Sequence, residues 1–232
     1  MTAIIDRTCG KKIDPSQIIR SRRRTVALVI TADAQLVIRA PLYTPMKFIE
    51  GFVDKKWPWI TRKISEIEAR PKARVNEFTD GERFLYLGES YPLALVDDAD
   101  TALSFDQGFR LSRLHHPSAR ELFTRWYRSR ASTEIRRRLD LYSSSSGISY
   151  DKFDITGART KWGSCAGRGD LRFSWRLIMA PQDVIDYVVV HELAHVERKD
   201  HSKYFWGRVS ELFPCYRQSR EWLRDNGHLL VL

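Results

Sequence analysis

The segment His191-Glu192-Leu193-Ala194-His195 constrains this chain more than any other stretch. It follows Tyr187-Val188-Val189-Val190, a run apolar enough for a protein interior, and Pro181 stands at the head of the stretch as a helix opener. On a helix, residues four apart share a face. His191 and His195 therefore present two imidazole nitrogens to one cation at about 2.0–2.1 Å. Glu192, one helical step round, reaches a water on that cation without ligating it. Zinc lowers the pKa of such a water toward about 7, and a neighbouring carboxylate takes the proton and returns it to a leaving amine. A buried helix carrying two His and a Glu needs partners for them, and a metal supplies such partners.

A catalytic zinc takes three protein ligands and keeps one position open. His201 is the best third ligand, six residues after His195 and beyond the polar stretch Glu197-Arg198-Lys199-Asp200. Glu211 and Asp200 compete for the role, and Cys165 is a weaker candidate. The spacing matches the metzincin pattern, with two departures: Arg198 stands where metzincins place Gly, and no Met follows His201 for a Met-turn. The turn after His195 must therefore be made in another way.

Elsewhere the pattern is that of a globular α+β chain. Lys and Arg number 39 against 29 Asp and Glu, a net charge of +10 in 232 residues, which favours encounter with anions and says nothing about fold. No window approaches 18 uninterrupted apolar residues, and the start has no secretory h-region. Three scattered cysteines make neither a disulfide framework nor a Cys-only zinc site. A cytoplasmic, reducing home is the simplest expectation. The expected organisation is a flexible tail over 1–17, a β-rich N-terminal lobe over 18–113, and a helical and stranded catalytic lobe over 114–232. In the first lobe, TVALVI and LVIRAP read as a hairpin, Pro58 should kink or split the following helix, and the stretch from Arg83 reads as a β-meander. The second lobe opens on a helix bearing Arg120, Arg125, Arg128, Arg130, Arg136, Arg137 and Arg138, ended by Gly147. Either these arginines lie outward on an amphipathic helix or they track phosphates. Two strands then flank a turn with Gly167 and Gly169, and Gly227 reads as the stop of the last helix.

TKWGSCAGRGDLRFSWRLIMAP, VIDYVVVHELAHVERKDHSKYFW and the closing REWL together resemble the YgjP-like metallopeptidase family of bacteria, and more distantly the SprT and WLM zincin-like peptidases. SRRRTVALVI, LVIRAP and the region of Trp57 and Trp59 fit the family's opening, so the resemblance covers nearly the whole chain beyond the tail. It implies a zincin-like fold and a zinc-dependent peptidase, with His191, His195 and His201 on the metal, Glu192 as general base, and Phe205-Trp206 as the aromatic pair after the third His. Trp162, Gly163 and Ser164 belong to the family signature and, with Tyr204, are candidates for binding an extended peptide; packing is the competing role for Trp162, Cys165 and Tyr204. The partner expected is a peptide or protein substrate, with no membrane. Two other functions use the same features: a metal-stabilised, nucleic-acid-associated module without turnover, and a zinc hydrolase acting on non-peptide substrates.

Overall fold

The computed structural model describes residues 4–5, 12–13, 18–31, 34–69, 76–97, 101–167 and 169–232. Most of the tail expected over 1–17, and with it Cys9, lies outside the described residues; within it β1 (Ile4–Ile5) pairs antiparallel with β2 (Lys12–Ile13). Among the described residues the fold is mixed, with five α-helices, small sheets and a β-rich region ahead of the helical part, as the pattern predicts. No described helix is long and apolar enough to cross a membrane.

The chain divides into two compact units, Met1–Lys72 and Ala73–Leu232. In the first, β3 (Ile18–Ser21), β4 (Ala27–Ile30) and β5 (Leu36–Pro41) form a sheet in the order β3-β5-β4, with β4 antiparallel to β5 as the hairpin predicts. Every second residue of β5 (Leu36, Ile38 and Ala40) is buried, as strand alternation requires, and clusters with Ile49, Val53 and Ile60 of α1 (Met46–Glu68). Pro58 does not split that helix. It and Asp54, the residue whose carbonyl it leaves without its helical bond, are both exposed, so the break falls on the solvent side of the helix.

The second unit begins with β6 (Arg83–Tyr86), β7 (Glu89–Val96), β8 (Leu103–Phe105) and β9 (Phe109–Ser112). These strands are not a simple meander: the order is β6-β7-β9-β8, and β7 runs parallel to β9. Burial decides it. Phe109 and Leu111 of β9 are fully buried, whereas β8 is half-buried, so the more apolar strand takes the inner place. Phe84 and Phe109 pack, with tilted rings, on Phe123 of α2 (Ala119–Ser146) at 4.4 and 4.8 Å between ring centres. That aromatic layer places strands 83–112 in the same unit as α2, so the division falls at residue 72 and not between 113 and 114.

Gly147 ends α2 in the left-handed conformation (φ 72°) that favours glycine. Then β10 (Lys152–Thr156), β11 (Gly163–Ala166) and β12 (Asp170–Ser174) form a sheet with β12 in the middle, parallel to β10 and antiparallel to β11. The turn joining β11 to β12 holds Gly167 and Gly169 at positive φ, as the glycine pattern predicts. A 3-10 turn, Trp175–Met179, leads through Pro181 into α3 (Gln182–Glu197), followed by α4 (Lys203–Leu212) and α5 (Tyr216–Asn226). Arg138 of α2, 1% exposed, ties two helices together: Nη1 bonds Glu134 at 2.5 Å, and Nε lies 3.0 Å from Asp186 of α3.

Candidate metal centre

Helix α3 is apolar nearly all round. Val184, Ile185, Val188, Val189, Leu193 and Ala194 are buried, which fixes the helix in the unit's interior and sets the rotation of its polar residues. His191 and His195 then fall on one face. His201 comes back to them from the segment ahead of α4: its Nε2 lies 3.2 Å from His191 Nε2 and 3.2 Å from His195 Nε2, and the three ligand atoms lie within 4.8 Å of one another.

The donor set fits a divalent transition ion. Imidazole nitrogens around a tetrahedral ion with bonds of about 2.0–2.1 Å stand about 3.3–3.4 Å apart, close to the 3.2 Å that His201 Nε2 keeps from each of the other two. His195 Nδ1 donates to the Arg198 carbonyl at 2.8 Å. A carbonyl only accepts, so the proton is on Nδ1 and the Nε2 lone pair points inward, as a ligating His requires. His191 Nδ1 is buried without a hydrogen-bond partner, so that ring's tautomer is left to whatever Nε2 binds. Burial holds the His191 pKa down to about 3, helped by the charges of His195, His201 and Arg220; burial also lowers that of His195. Both rings are thus neutral at neutral pH and have lone pairs to give.

The turn after His195 explains how Arg198 replaces a glycine. Arg198 closes the helix with its N–H on Ala194 O at 2.9 Å, at φ −133° and ψ 110°, extended backbone open to any side chain. No left-handed residue is needed. Phe205 of α4 forms the floor: its ring stacks on His195 at 4.4 Å between centres and an angle of 26°, and meets His191 edge-on at 5.0 Å.

Glu192 is 6% exposed, and burial raises its carboxyl pKa to about 7, against the nearby Lys161 charge, which lowers it. The backbone of Gly163 in β11 lies directly on its side chain.

The chain matches the family described as YgjP-like, metallopeptidase domain, over residues 24–226 of 232. It belongs to the YgjP-like metallopeptidase family. Membership makes this a metal-dependent peptidase domain by descent and implies a metal ion, for which the His triad is the matching feature. No curated protein and no solved structure matches the chain.

In this YgjP-like chain the competing ligands are engaged elsewhere. Glu211 pairs with Arg208 at 3.2 Å, Asp200 accepts from the Ser202 N–H at 3.3 Å, and Cys165 Sγ has Lys199 Nζ at 3.2 Å. Of the peptide-binding candidates, Gly163 meets Glu192; Trp162 is half-buried against Gly227; Ser164 pairs with Arg172 across the sheet. Tyr204 is 64% exposed between the cations of Arg198 and Lys203. Gly227 does not stop α5 by a left-handed turn: its φ is −56°, and a β-carbon there would lie 2.9 Å from Trp162, so close approach is what demands glycine.

Most of the arginines of α2 have local partners. Arg128 donates to Ile155 O at 2.7 Å, Arg130 covers Trp126, Arg136 covers Phe153, and Arg137 pairs with Glu134. The sequence marks Phe205 as one of the aromatic pair after the third His, and the structure buries it in the core, but nothing in the sequence shows that it carries the ligand rings. The supporting Arg198 carbonyl, being main chain, leaves no sequence signal.

Proposed function

We propose that this protein hydrolyses peptide bonds with zinc held by His191, His195 and His201 and with Glu192 as general base. The observation that carries the reading is the convergence of three imidazoles, two of them on the helix that also carries the buried Glu192. Zinc in that position supplies Lewis acidity to a peptide carbonyl and acidity to a water molecule. The protein does the rest. His195, locked by the Arg198 carbonyl and the Phe205 ring, keeps its Nε2 aimed inward. Glu192, with a pKa near 7, accepts a proton from water on a carboxylate oxygen at neutral pH and is acidic enough to deliver it to a departing amine. β11 is an edge strand whose free side suits an extended peptide.

The test is direct. Protein purified without chelator is expected to carry close to one zinc per chain by elemental analysis, and to cut members of an unbiased peptide library. Glu192→Gln is expected to retain the metal and lose cleavage by about 10²–10⁴-fold. Metal-free protein, or cleavage that survives the substitution, overturns the reading.

A further inference from the structure

Gly163 sits where glycine is not needed for backbone reasons. It is an ordinary strand residue of β11, paired with Phe173 of β12, and its φ is not in the positive region. What is unusual is its neighbour. A β-carbon built on Gly163 would lie 2.5 Å from Glu192 Cγ, 2.6 Å from Oε1 and 2.8 Å from Cδ. These are separations that real β-carbons do not reach. The carboxylate occupies the volume that any other residue at 163 would fill with its own side chain. The two residues are 29 positions apart, and the fold brings them together because β11 packs across α3. Glu192 has little freedom to retreat, being 6% exposed on a helix buried nearly all round.

We infer that Gly163 is the positioning residue of the general base: the bare main chain of the edge strand forms one wall of the carboxylate's seat, and a methyl group there pushes the carboxylate off its place on the helix that carries His191 and His195. The inference rests on the peptidase reading for its catalytic consequence. The contact itself does not depend on it. Displacement by an ångström in a preorganised site costs on the order of 10²-fold in rate, and neither the three ligands nor the free side of β11 is touched by the change.

Two measurements on the full-length protein test it. Gly163→Ala, loaded with zinc, is expected to keep one zinc per chain and a KM within about threefold of wild type on a library-derived peptide, while kcat falls about 100-fold. A role in packing alone would not split kcat from KM with the metal retained. A Gly163→Ala protein with wild-type kcat overturns the inference. The second measurement needs no substrate. Thermal midpoints are compared for wild type, Gly163→Ala, Glu192→Ala and the double variant, all metal-free. The glycine substitution is expected to lower the midpoint in the presence of Glu192 and to be neutral or stabilising once Glu192→Ala removes the clashing atoms. Equal losses in both backgrounds would place the glycine's role elsewhere and overturn the inference, also in a Gly163→Ala protein too unstable to assay. If wild type cleaves nothing while the midpoints show the coupling, the seat stands and the peptidase reading falls.

Discussion

Arg138 shows how one side chain can hold two helices. It is 1% exposed, hydrogen-bonded to Glu134 and within 3.0 Å of Asp186, and the two carboxyls respond in opposite senses. Burial pushes up on Glu134, but the bonds and charges of Arg138 and Arg137 outweigh it and hold that carboxyl below its usual range; at Asp186 burial outweighs Arg138, and the carboxyl stays above it. Removing one partner of a buried pair leaves the others uncompensated, at about 3–5 kcal/mol. Arg138→Ala is therefore expected to lose stability on that scale in urea denaturation. At Gly227 the penalty is steric: Gly227→Ala drives a methyl into Trp162 and is expected to cost about 1–3 kcal/mol by the same measurement. Residues differ in how far sequence reveals them. His191 and His195 are legible because four-residue spacing has one geometric meaning on a helix. Gly163 is legible as part of a signature, yet its meeting with Glu192 is tertiary. Gly227 looks like a helix stop because terminal glycines usually are; only the indole beside it shows the other reason.

Among the elements, α2 is the spine of the second unit, and Tyr127 marks how tightly it is set. The ring is fully buried and its hydroxyl donates to Leu85 O at 2.7 Å. Burial raises its pKa far above the ordinary 10. The native state thus keeps a proton that the unfolded chain releases above pH 10. The native state binds more protons there, so stability falls as pH rises through that window and is unaffected below it. Tyr127→Phe is expected to cost about 1 kcal/mol at pH 7 for the lost hydrogen bond, and to unfold less readily than wild type at pH 11, read by urea titration at the two pH values. At this scale sequence patterns name the elements better than their neighbours. Strands 83–112 are recognisable by alternation, but the parallel pairing of β7 with β9 follows from relative burial of whole strands. Alternation within a strand cannot express that. Helix α1 likewise tolerates Pro58 because the proline falls on the wet side, a fact about orientation and not about composition.

At the scale of the whole molecule, the two units carry separate cores, and the ligand triad belongs to the second alone. A ligand that binds only the folded state stabilises by about 4.1 kcal/mol when present at 1,000 times its dissociation constant. Calorimetry of the full chain is therefore expected to show a zinc-dependent transition, lowered by chelator, and a second that zinc does not move. A single transition shifting as one would show that the cores melt together. The support beneath His195 has a consequence for variation across the molecule. The ring is steered by a peptide oxygen at position 198, in a conformation any residue but proline can take, since that residue's own N–H is in use. The arginine there is a guest of the turn. Its side chain, lying over Tyr204, can be exchanged for one of other charge and size while the centre keeps its aim.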